Sequence, residues 1–316
     1  MSEGTNAQVT VAVPDYFTLN DGKRIPSVGL GCWMGGVTTD EAGGERVHKM
    51  CTAALERGYR HLDTASGYGL KIACNEAENG DHGNVLAAFN KSQENLGSGI
   101  EYIDMYLLHW PLAVKDGKVL SPDEKPTFVE TWKAMEQLLE TGKVKSIGVS
   151  NFSIKTLDIL LPHCTIIPAT NQIELHPCLP QNDLKEYCEH EDRKILLTAY
   201  SPLESSLSRG TTFMENATIQ DIAKKLGATP AQVVLSWSVA RGTAVAPKSE
   251  NPERMVANLT LIPLSSEDRK VIDELHQAPG MHKSLLGFHE KDGSVFGWTY
   301  EQLGWNMIVG GIVPTK

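Results

Sequence analysis

The sequence predicts an α/β fold, a TIM-type (β/α)8 barrel with an N-terminal β-hairpin, and three observations predict it. Short apolar runs alternate with amphipathic helical patterns along the chain, which is typical of parallel βαβ units. The glycine pattern of an open dinucleotide-binding sheet is incomplete, because Gly29 and Gly31 are followed by Cys32 and Trp33 without a third glycine. Polar and aromatic side chains follow the apolar runs, and barrels place their chemistry at these strand ends.

The composition is that of a globular protein and argues against two classes of partner. Hydrophobic residues make up 41% of the chain and charged residues 22%. The 29 Lys and Arg against 39 Asp and Glu give a net charge of −10, which disfavours nucleic acid and anionic membranes. No apolar run reaches the ~18 residues of a membrane span, and the N-terminus lacks a secretory signal pattern, so we expect a cytoplasmic protein. Without an HExxH motif or a Cys/His cluster, no metal site is predicted.

Turn chemistry and apolar content predict the hairpin and the strands. Asn20, Asp21 and Gly22 form a hairpin turn signal, because Asp-Gly tolerates the positive φ of tight turns. The apolar runs after it suit the doubly buried strands of a parallel sheet. The predicted strands are Val28–Gly31, Arg60–Asp63, Ile103–His109, Ser146–Val149, Thr170–Glu174, Ile195–Ala199 and Thr243–Ala246.

Helices are predicted from a 3.6-residue period and from capping residues. Thr39 and Asp40 are capping candidates for the first helix, and Gly142 closes the third. The predicted helices are Thr39–Arg57, Asn84–Leu96, Thr127–Thr141, one from Ser153, one after Pro180, Ile219–Leu226, Pro230–Ala240 and Asn251–Leu259. We expect one domain over residues 1–316, with a barrel core at about 28–260 and a C-terminal helix and substrate-loop tail at 261–316.

Polar and aromatic side chains converge on the predicted strand ends. Because the C-terminal ends of barrel strands meet at one face, we expect these side chains to line an active site. Each has a structural alternative when taken singly: an Asp such as Asp63 is usually a cap or ion-pair partner, and a lone His109 is usually a core imidazole. The side chains are Asp63 with Tyr68, His109 with Trp110, Ser150 with Asn151, Gln172 with Glu174 and His176, Tyr200 with Ser201, and Lys248 with Ser249.

Six ordered motifs resemble the aldo-keto reductases, over a stretch from about Phe17 to about Pro263. The motifs are GYRHLDTASGY ending at Tyr68, YLLHWP around His109, GVSNF around Asn151, NQIELHP from Asn171 to Pro177, AYSPL around Tyr200, and PKS at Lys248 followed by Arg254 and Asn258. The resemblance implies an oxidoreductase that uses NADP(H) and reduces an aldehyde or ketone to an alcohol by hydride transfer. The implied partner is therefore a small-molecule carbonyl substrate.

The resemblance also implies a role for each matching residue. Tyr68 would be the proton donor, and His109 would polarise the substrate carbonyl. A free phenol has a pKa of about 10, so its proton needs help, which the family takes from a Lys paired with the Asp, here Asp63. Trp33, Trp110 and His109 would contact the substrate. The cofactor would be held by Cys32, Trp33, Asp63, Ser150, Asn151, Gln172, Tyr200, Ser201, Leu203, Lys248, Ser249, Arg254 and Asn258, with Tyr200 stacking under the nicotinamide.

The last motif bears on the choice of nucleotide. Lys248 and Arg254 flank the end of the last predicted strand and the start of its helix, together with Ser249. Two cations in an acidic chain favour the extra 2′-phosphate of NADP over NAD. The alternative is a solvated pair of residues at a helix start, but cations there oppose the helix dipole.

The sequence departs from the family after Tyr68. Only 39 residues separate Thr64 from Tyr102, whereas a helix, a strand and a second helix need more than about 50. We expect the third strand to be missing or shortened and the family's catalytic Lys to be missing with it. Lys71 lies too close to the second strand to replace it, and Lys91 lies inside a predicted helix. A catalytically weak or inactive NADP(H)-binding paralogue, a partner-binding protein and a misfolded product are therefore the alternatives to an active reductase.

Aromatic residues give a limited indication of the substrate. Trp33, Trp110 and the aromatic side chains within Phe288–Trp305 suit a pocket for an apolar or ring-bearing carbonyl, or they simply cover the barrel. No motif specifies an oligomeric state, and we favour a monomer.

Overall fold

The computed structural model describes residues 13–36, 41–65, 68, 84–97, 99–115, 118–203 and 213–314. The capping candidates Thr39 and Asp40 and the residue Lys71 lie outside the described residues. None of the helices in the described ranges is both long and apolar enough to cross a bilayer.

The strands of the described ranges vary from two to seven residues in length. In chain order they are β1 (Tyr16–Thr18), β2 (Arg24–Pro26), β3 (Leu30–Gly31), β4 (Leu62–Asp63), β5 (Ile103–Leu108), β6 (Val114–Lys115), β7 (Lys118–Val119), β8 (Val144–Ser150), β9 (Thr170–Glu174), β10 (Leu196–Tyr200), β11 (Thr243–Ala246), β12 (Ser294–Val295) and β13 (Trp298–Thr299).

The helices alternate with the longer strands, as the sequence predicts. They are α1 (Glu41–Glu56), α2 (Val85–Leu96), α3 (Phe128–Glu140), α4 (Ile154–Leu160), α5 (Asn182–Glu189), α6 (Ala217–Leu226), α7 (Pro230–Ala240), α8 (Pro252–Leu259), α9 (Ser266–Asp273) and α10 (Tyr300–Leu303). Thr127 caps α3 and Ser153 caps α4, at the residues where the sequence predicts these two helices to begin.

The predicted N-terminal hairpin is confirmed. β1 pairs antiparallel with β2, and Gly22 takes the positive φ of 82° that the turn requires. Leu19 and Ile25 pack against Met105 at the start of β5. The hairpin therefore lies at the end of the sheet where the parallel strands begin, opposite the strand ends that carry the candidate site.

The central sheet is parallel and has the order β11-β10-β9-β8-β5. Backbone bonds extend it past β11, because Gly29 N–H donates to Val245 O over 2.7 Å. Leu30 N–H in turn donates to His61 O over 2.9 Å, which adds β4 outside β3. The described strands thus form one parallel arc, β5-β8-β9-β10-β11-β3-β4.

The arc is open between β4 and β5. In the described part of the chain, α2 is the only regular element between these two strands, and no backbone pairing joins them. Asn84 caps α2, and Phe89 packs edge-on against Tyr106 with ring centroids 5.6 Å apart, so α2 covers β5. The opening falls where the sequence predicts a missing or shortened third strand.

A hydrophobic core joins the arc to the helices around it. It extends along the chain from Val28 to Leu303 and includes the fully buried indoles of Trp132 and Trp237. The predicted apolar face of α3 is buried, and α7 is buried on nearly every side. This packing fixes the strand ends that present the candidate site.

The C-terminal segment returns to the sheet and is anchored there. The Glu174 carboxylate accepts hydrogen bonds from Ser284 Oγ over 2.5 Å and from Leu285 N–H over 2.7 Å. Farther along, Trp298 Nε1 donates to Leu120 O over 2.7 Å. These contacts hold the tail against the face where the parallel strands end.

Candidate active site

Most of the predicted site residues lie at or just after the C-terminal ends of the strands of the arc. Asp63, Ser150 and Tyr200 are the last residues of β4, β8 and β10, and Gln172 lies in β9. The residues that follow their strands within a few positions are Cys32 and Trp33 after β3, Tyr68 after β4, His109 and Trp110 after β5, Asn151 after β8, Ser201 and Leu203 after β10, and Lys248 and Ser249 after β11. Arg254 and Asn258 lie farther along, in α8.

A buried chain of hydrogen bonds joins three of these strand ends. Gln172 Nε2 donates to Asp63 Oδ1 over 3.0 Å and thereby links β9 to β4. Ser150 Oγ donates to the backbone oxygen of Gln172 over 2.8 Å. Asn151 Nδ2 continues the chain by donating to Ser150 Oγ over 3.2 Å. All four side chains are buried, so their polar groups are satisfied largely by one another.

Asn151 is the branch point of this chain. Its backbone has a φ of 64°, a left-handed conformation that Asn tolerates better than most residues. Asn151 Nδ2 also donates to His109 O over 3.0 Å, and Asn151 Oδ1 accepts from the Tyr200 hydroxyl over 2.7 Å. The ends of β5, β8, β9, β10 and β4 are therefore connected by side chains that the sequence predicts to belong to one site.

The network keeps polar groups that suit an amide ligand. Gln172 Oε1 accepts no hydrogen bond from the residues that the structure describes, and one Nε2 hydrogen remains after the bond to Asp63. A cavity of about 520 Å³ borders Asn151 and Tyr200, with Trp305 from the tail on another wall. A nicotinamide carboxamide both donates and accepts, so the residues present fit this end of the predicted cofactor.

The proposed acid and its neighbour form an aromatic pair. The Tyr68 and Trp33 rings lie with centroids 4.7 Å apart at an angle of 57°. Cys32 N–H donates to Asp63 O over 2.8 Å, so the segment that carries Trp33 is bonded to the end of β4. Tyr68 is thus positioned beside β3 and β4.

A second aromatic cluster surrounds Trp110. Its indole contacts Phe288, Phe296 and Trp305 of the tail at centroid distances of 5.6, 5.1 and 5.9 Å. Trp110 also lies 6.2 Å from the His109 ring. The cluster brings an apolar surface next to one predicted catalytic residue. Trp298 and Tyr300, which the sequence groups with these aromatics, are instead buried in the core.

Asp63 has an amide as its partner. Its side chain is 6% exposed, and none of the Lys or Arg side chains in the described ranges forms an ion pair with it. Lys91 lies on α2, as predicted, where it is 62% exposed and 3.7 Å from Glu94. Burial lowers the pKa of the nearby His61, so that imidazole supplies no positive charge near neutral pH.

The phosphate corner, formed by the predicted 2′-phosphate ligands Lys248, Ser249 and Arg254, contains a carboxylate that no motif in the sequence identifies. Lys248 Nζ donates to Glu250, and Glu250 also accepts two hydrogen bonds from Arg46, at 2.5 and 2.6 Å. The hydrogen bond from Arg46 lowers the pKa of Glu250 to about 2, with Lys248 contributing. The Lys-Ser-Glu spacing places Glu250 beside Lys248, but no sequence signal identifies Arg46, which lies 204 positions away.

The remaining predicted cofactor residues differ in how open they are. The Arg254 side chain is exposed, while the Ser249 hydroxyl accepts from Asn251 N–H over 3.2 Å. Ser201 has a positive φ of 48°, and Leu203 is half-buried against the core. Asn258 is buried near Tyr59, whose hydroxyl donates to Met255 O over 3.1 Å and whose pKa burial raises to about 12.

Comparison with known proteins gives the family. The model of the Aldo/keto reductase family matches residues 70–277. An aldehyde reductase of Saccharomyces cerevisiae is 37% identical over 302 residues, which covers 83% of this chain and 91% of the relative. A D-galacturonate reductase of Hypocrea jecorina is 37% identical over 298 residues, covering 83% and 90%. The chain belongs to the aldo/keto reductase family of oxidoreductases.

A solved structure agrees with the fold. The crystal structure of an aldo/keto reductase from Brucella melitensis matches with a TM-score of 0.69 and 34% sequence identity, covering 84% of this chain and all (100%) of that one. A glycerol 2-dehydrogenase (NADP(+)) of Saccharomyces cerevisiae is 35% identical over 298 residues, covering 83% of this chain and 91% of that protein. The predicted (β/α)8 barrel is therefore confirmed as the fold class, although the described strands leave the arc open between β4 and β5.

Proposed function

We propose that the chain is an NADP(H)-dependent reductase of an aldehyde or ketone, with Tyr68 as proton donor. One observation carries the proposal: the buried hydrogen bonds among Asp63, Gln172, Ser150 and Asn151, which leave one edge of the Gln172 amide available. The name of the similar glycerol 2-dehydrogenase (NADP(+)) supports the choice of nucleotide.

Each residue of the site would have a separate role in carbonyl reduction. Gln172 and Asn151 would hold the carboxamide, and Tyr200, tied to Asn151, would orient the pyridine ring. Held there, the dinucleotide would supply the hydride that reduces the carbonyl carbon. Tyr68 donates its phenolic proton to the carbonyl oxygen, and His109 stabilises the charge on that oxygen by a hydrogen bond.

The partner of Asp63 argues for slow turnover. An amide donates a hydrogen bond to the carboxylate but carries no net charge, so it cannot ease proton loss from Tyr68 as a lysine does. Losing one group of an acid–base pair typically costs about 10²–10⁴ in rate. The same observation favours the second candidate function, a relative that binds NADP(H) without reducing a carbonyl.

The aromatic surface around Trp110 supports a substrate class. Phe288, Phe296 and Trp305 approach its indole and form an apolar wall next to His109. Such walls bind ring-bearing or otherwise apolar carbonyls better than small polar ones.

Two assays on the full chain test the proposal. Isothermal titration calorimetry with NADPH measures binding, and the loss of reduced-nicotinamide absorbance with a panel of aromatic and small aliphatic aldehydes measures turnover. Binding with slow, aromatic-selective turnover supports the reductase, and binding without any turnover favours the second candidate. Absence of NADPH binding by the folded chain contradicts both.

A further inference from the structure

The phosphate corner already contains an anion, the carboxylate of Glu250. Glu250 is the second residue after Lys248, and its carboxylate bonds both to that lysine and to Arg46 of α1. We propose that Glu250 is a specificity-determining residue, which occupies these cations and thereby lowers the preference for NADP(H) over NAD(H). The inference rests on the proposed function, because it concerns how that function's cofactor is chosen.

The geometry makes Glu250 a direct competitor for phosphate. Both of its oxygens are engaged, Oε2 by Arg46 Nε over 2.5 Å and Oε1 by Arg46 Nη2 over 2.6 Å and by Lys248 Nζ. A fork-to-fork pair of this kind is the geometry in which arginine also binds phosphate. A 2′-phosphate at this corner would have to displace the carboxylate or lie beside it.

The charge count at the corner follows from these contacts. Glu250 pairs with Lys248 and Arg46, Glu45 pairs with Lys49 on the same cavity wall, and Arg254 and Glu253 lie in the first turn of α8. Two of the cations are engaged by Glu250, while Arg254 has no ion pair within the described ranges. A phosphate dianion would meet one uncommitted cation and a like charge next to it, which raises the cost of binding.

The Glu250 carboxylate stays negatively charged near neutral pH. The hydrogen bond from Arg46 lowers the pKa of Glu250 to about 2, so protonation does not remove the competitor near neutral pH. Glu250 does not oppose NAD(H) in this way, because a carboxylate can accept a hydrogen bond from the ribose 2′-hydroxyl that replaces the phosphate. Glu250 therefore penalises one dinucleotide and not the other.

A structural role is the competing explanation. Arg46 lies on α1 and Glu250 immediately before α8, so the ion pair also ties these two helices together. In that case removing the carboxylate would change the stability of the protein and would weaken both dinucleotides alike. Only the ratio of the two affinities separates the explanations.

The test compares two neutralised carboxylates in the full chain. Glu250→Gln removes the proposed competitor, and Glu253→Gln makes the same charge change in the exposed first turn of α8. Glu250→Ala is a second variant without an amide. Calorimetry measures Kd for NADP⁺ and NAD⁺, and for 2′,5′-ADP and 5′-AMP as fragments that report the 2′-phosphate alone.

We expect Kd(NAD⁺)/Kd(NADP⁺) to rise by about tenfold or more in both Glu250 variants and by less than about threefold in Glu253→Gln. The ratio Kd(5′-AMP)/Kd(2′,5′-ADP) should likewise rise more in the Glu250 variants than in Glu253→Gln. An unchanged ratio in the Glu250 variants overturns the inference, as does an equal rise in Glu253→Gln, which would indicate a general field effect. If the wild-type chain binds neither dinucleotide, the proposed function itself is wrong. If the wild-type chain binds them and the Glu250 variants keep the same Kd ratio, only this inference is wrong.

Discussion

Asp63 is a buried carboxylate whose side-chain partner among the described residues is an amide. Its carboxylate is buried at the end of β4, where an ionised group needs either a cation or strong hydrogen bonds. The Gln172 amide supplies one such bond from β9. An amide donor keeps the carboxylate hydrogen-bonded without adding a net charge beside it.

The bond between Gln172 and Asp63 is expected to contribute measurably to stability. Gln172→Leu leaves a buried carboxylate without its donor, which costs about 1–3 kcal/mol of the free energy of unfolding. Urea denaturation measures the change, with Gln277→Leu as a control at an exposed glutamine. A loss within about 0.5 kcal/mol of the control would show that the bond is not a stabilising one.

The role proposed for Tyr68 has a separate kinetic signature. Tyr68→Phe removes only the hydroxyl, so we expect kcat for carbonyl reduction to fall by about 100-fold or more while Kd for NADPH is unchanged. Tyr102→Phe, at a tyrosine that is 44% exposed, is the matched control. Retention of full turnover in the Tyr68 variant would rule out its role as the acid.

At the level of elements, the sequence predicts best where local chemistry decides. β9, β11 and α7 have the predicted bounds; the apolar run TAVA defines β11, and Thr229 with Pro230 opens the helix. The two-residue pairs β6–β7 and β12–β13 are not predicted. They depend on tertiary contacts such as the bond from Trp298 to the backbone of Leu120, which leave no periodic signal.

The stability contributed by the first turn of α3 is expected to depend on pH. Thr127 donates to Glu130 from its hydroxyl over 2.5 Å and from its backbone N–H over 2.9 Å, which lowers the pKa of Glu130 to about 2. Because the folded pKa is below the ordinary one, the unfolded chain takes up the proton first as the pH falls. The stabilisation is therefore complete above about pH 4.5 and is lost as the pH approaches about 2.

A carboxyl titration followed by NMR measures this directly. The midpoint of the Glu130 carboxyl should lie well below the ordinary value of 4.5. In thermal unfolding, Glu130→Gln should lower Tm relative to wild type near neutral pH and by progressively less toward about pH 2. A Glu130 midpoint at the ordinary value of 4.5 would contradict the capping assignment.

For the whole molecule, spacing predicts where the described arc opens. The short stretch between Thr64 and Tyr102 predicts a missing or shortened strand, and among the described residues the arc is open between β4 and β5. Barrels normally leave no edge unpaired, so the described residues leave one edge of β4 and one of β5 without a paired strand. The motifs likewise predict which residues share the strand-end face.

The long-range pairings could not be predicted. Glu250 with Arg46 and Glu174 with Ser284 join residues 204 and 110 positions apart. A single sequence contains no record of such distances, since either partner alone is an ordinary surface or tail residue.

The central claim is that this strand-end face carries out hydride transfer to a carbonyl. The most direct measurement uses stoichiometric protein, an aromatic aldehyde, and NADPH deuterated at the transferred position, with the product analysed by mass spectrometry. We predict an alcohol that carries deuterium on its carbinol carbon, formed slowly by the wild-type chain and far more slowly by Tyr68→Phe. Folded protein that binds NADPH and yields no labelled alcohol would contradict the account.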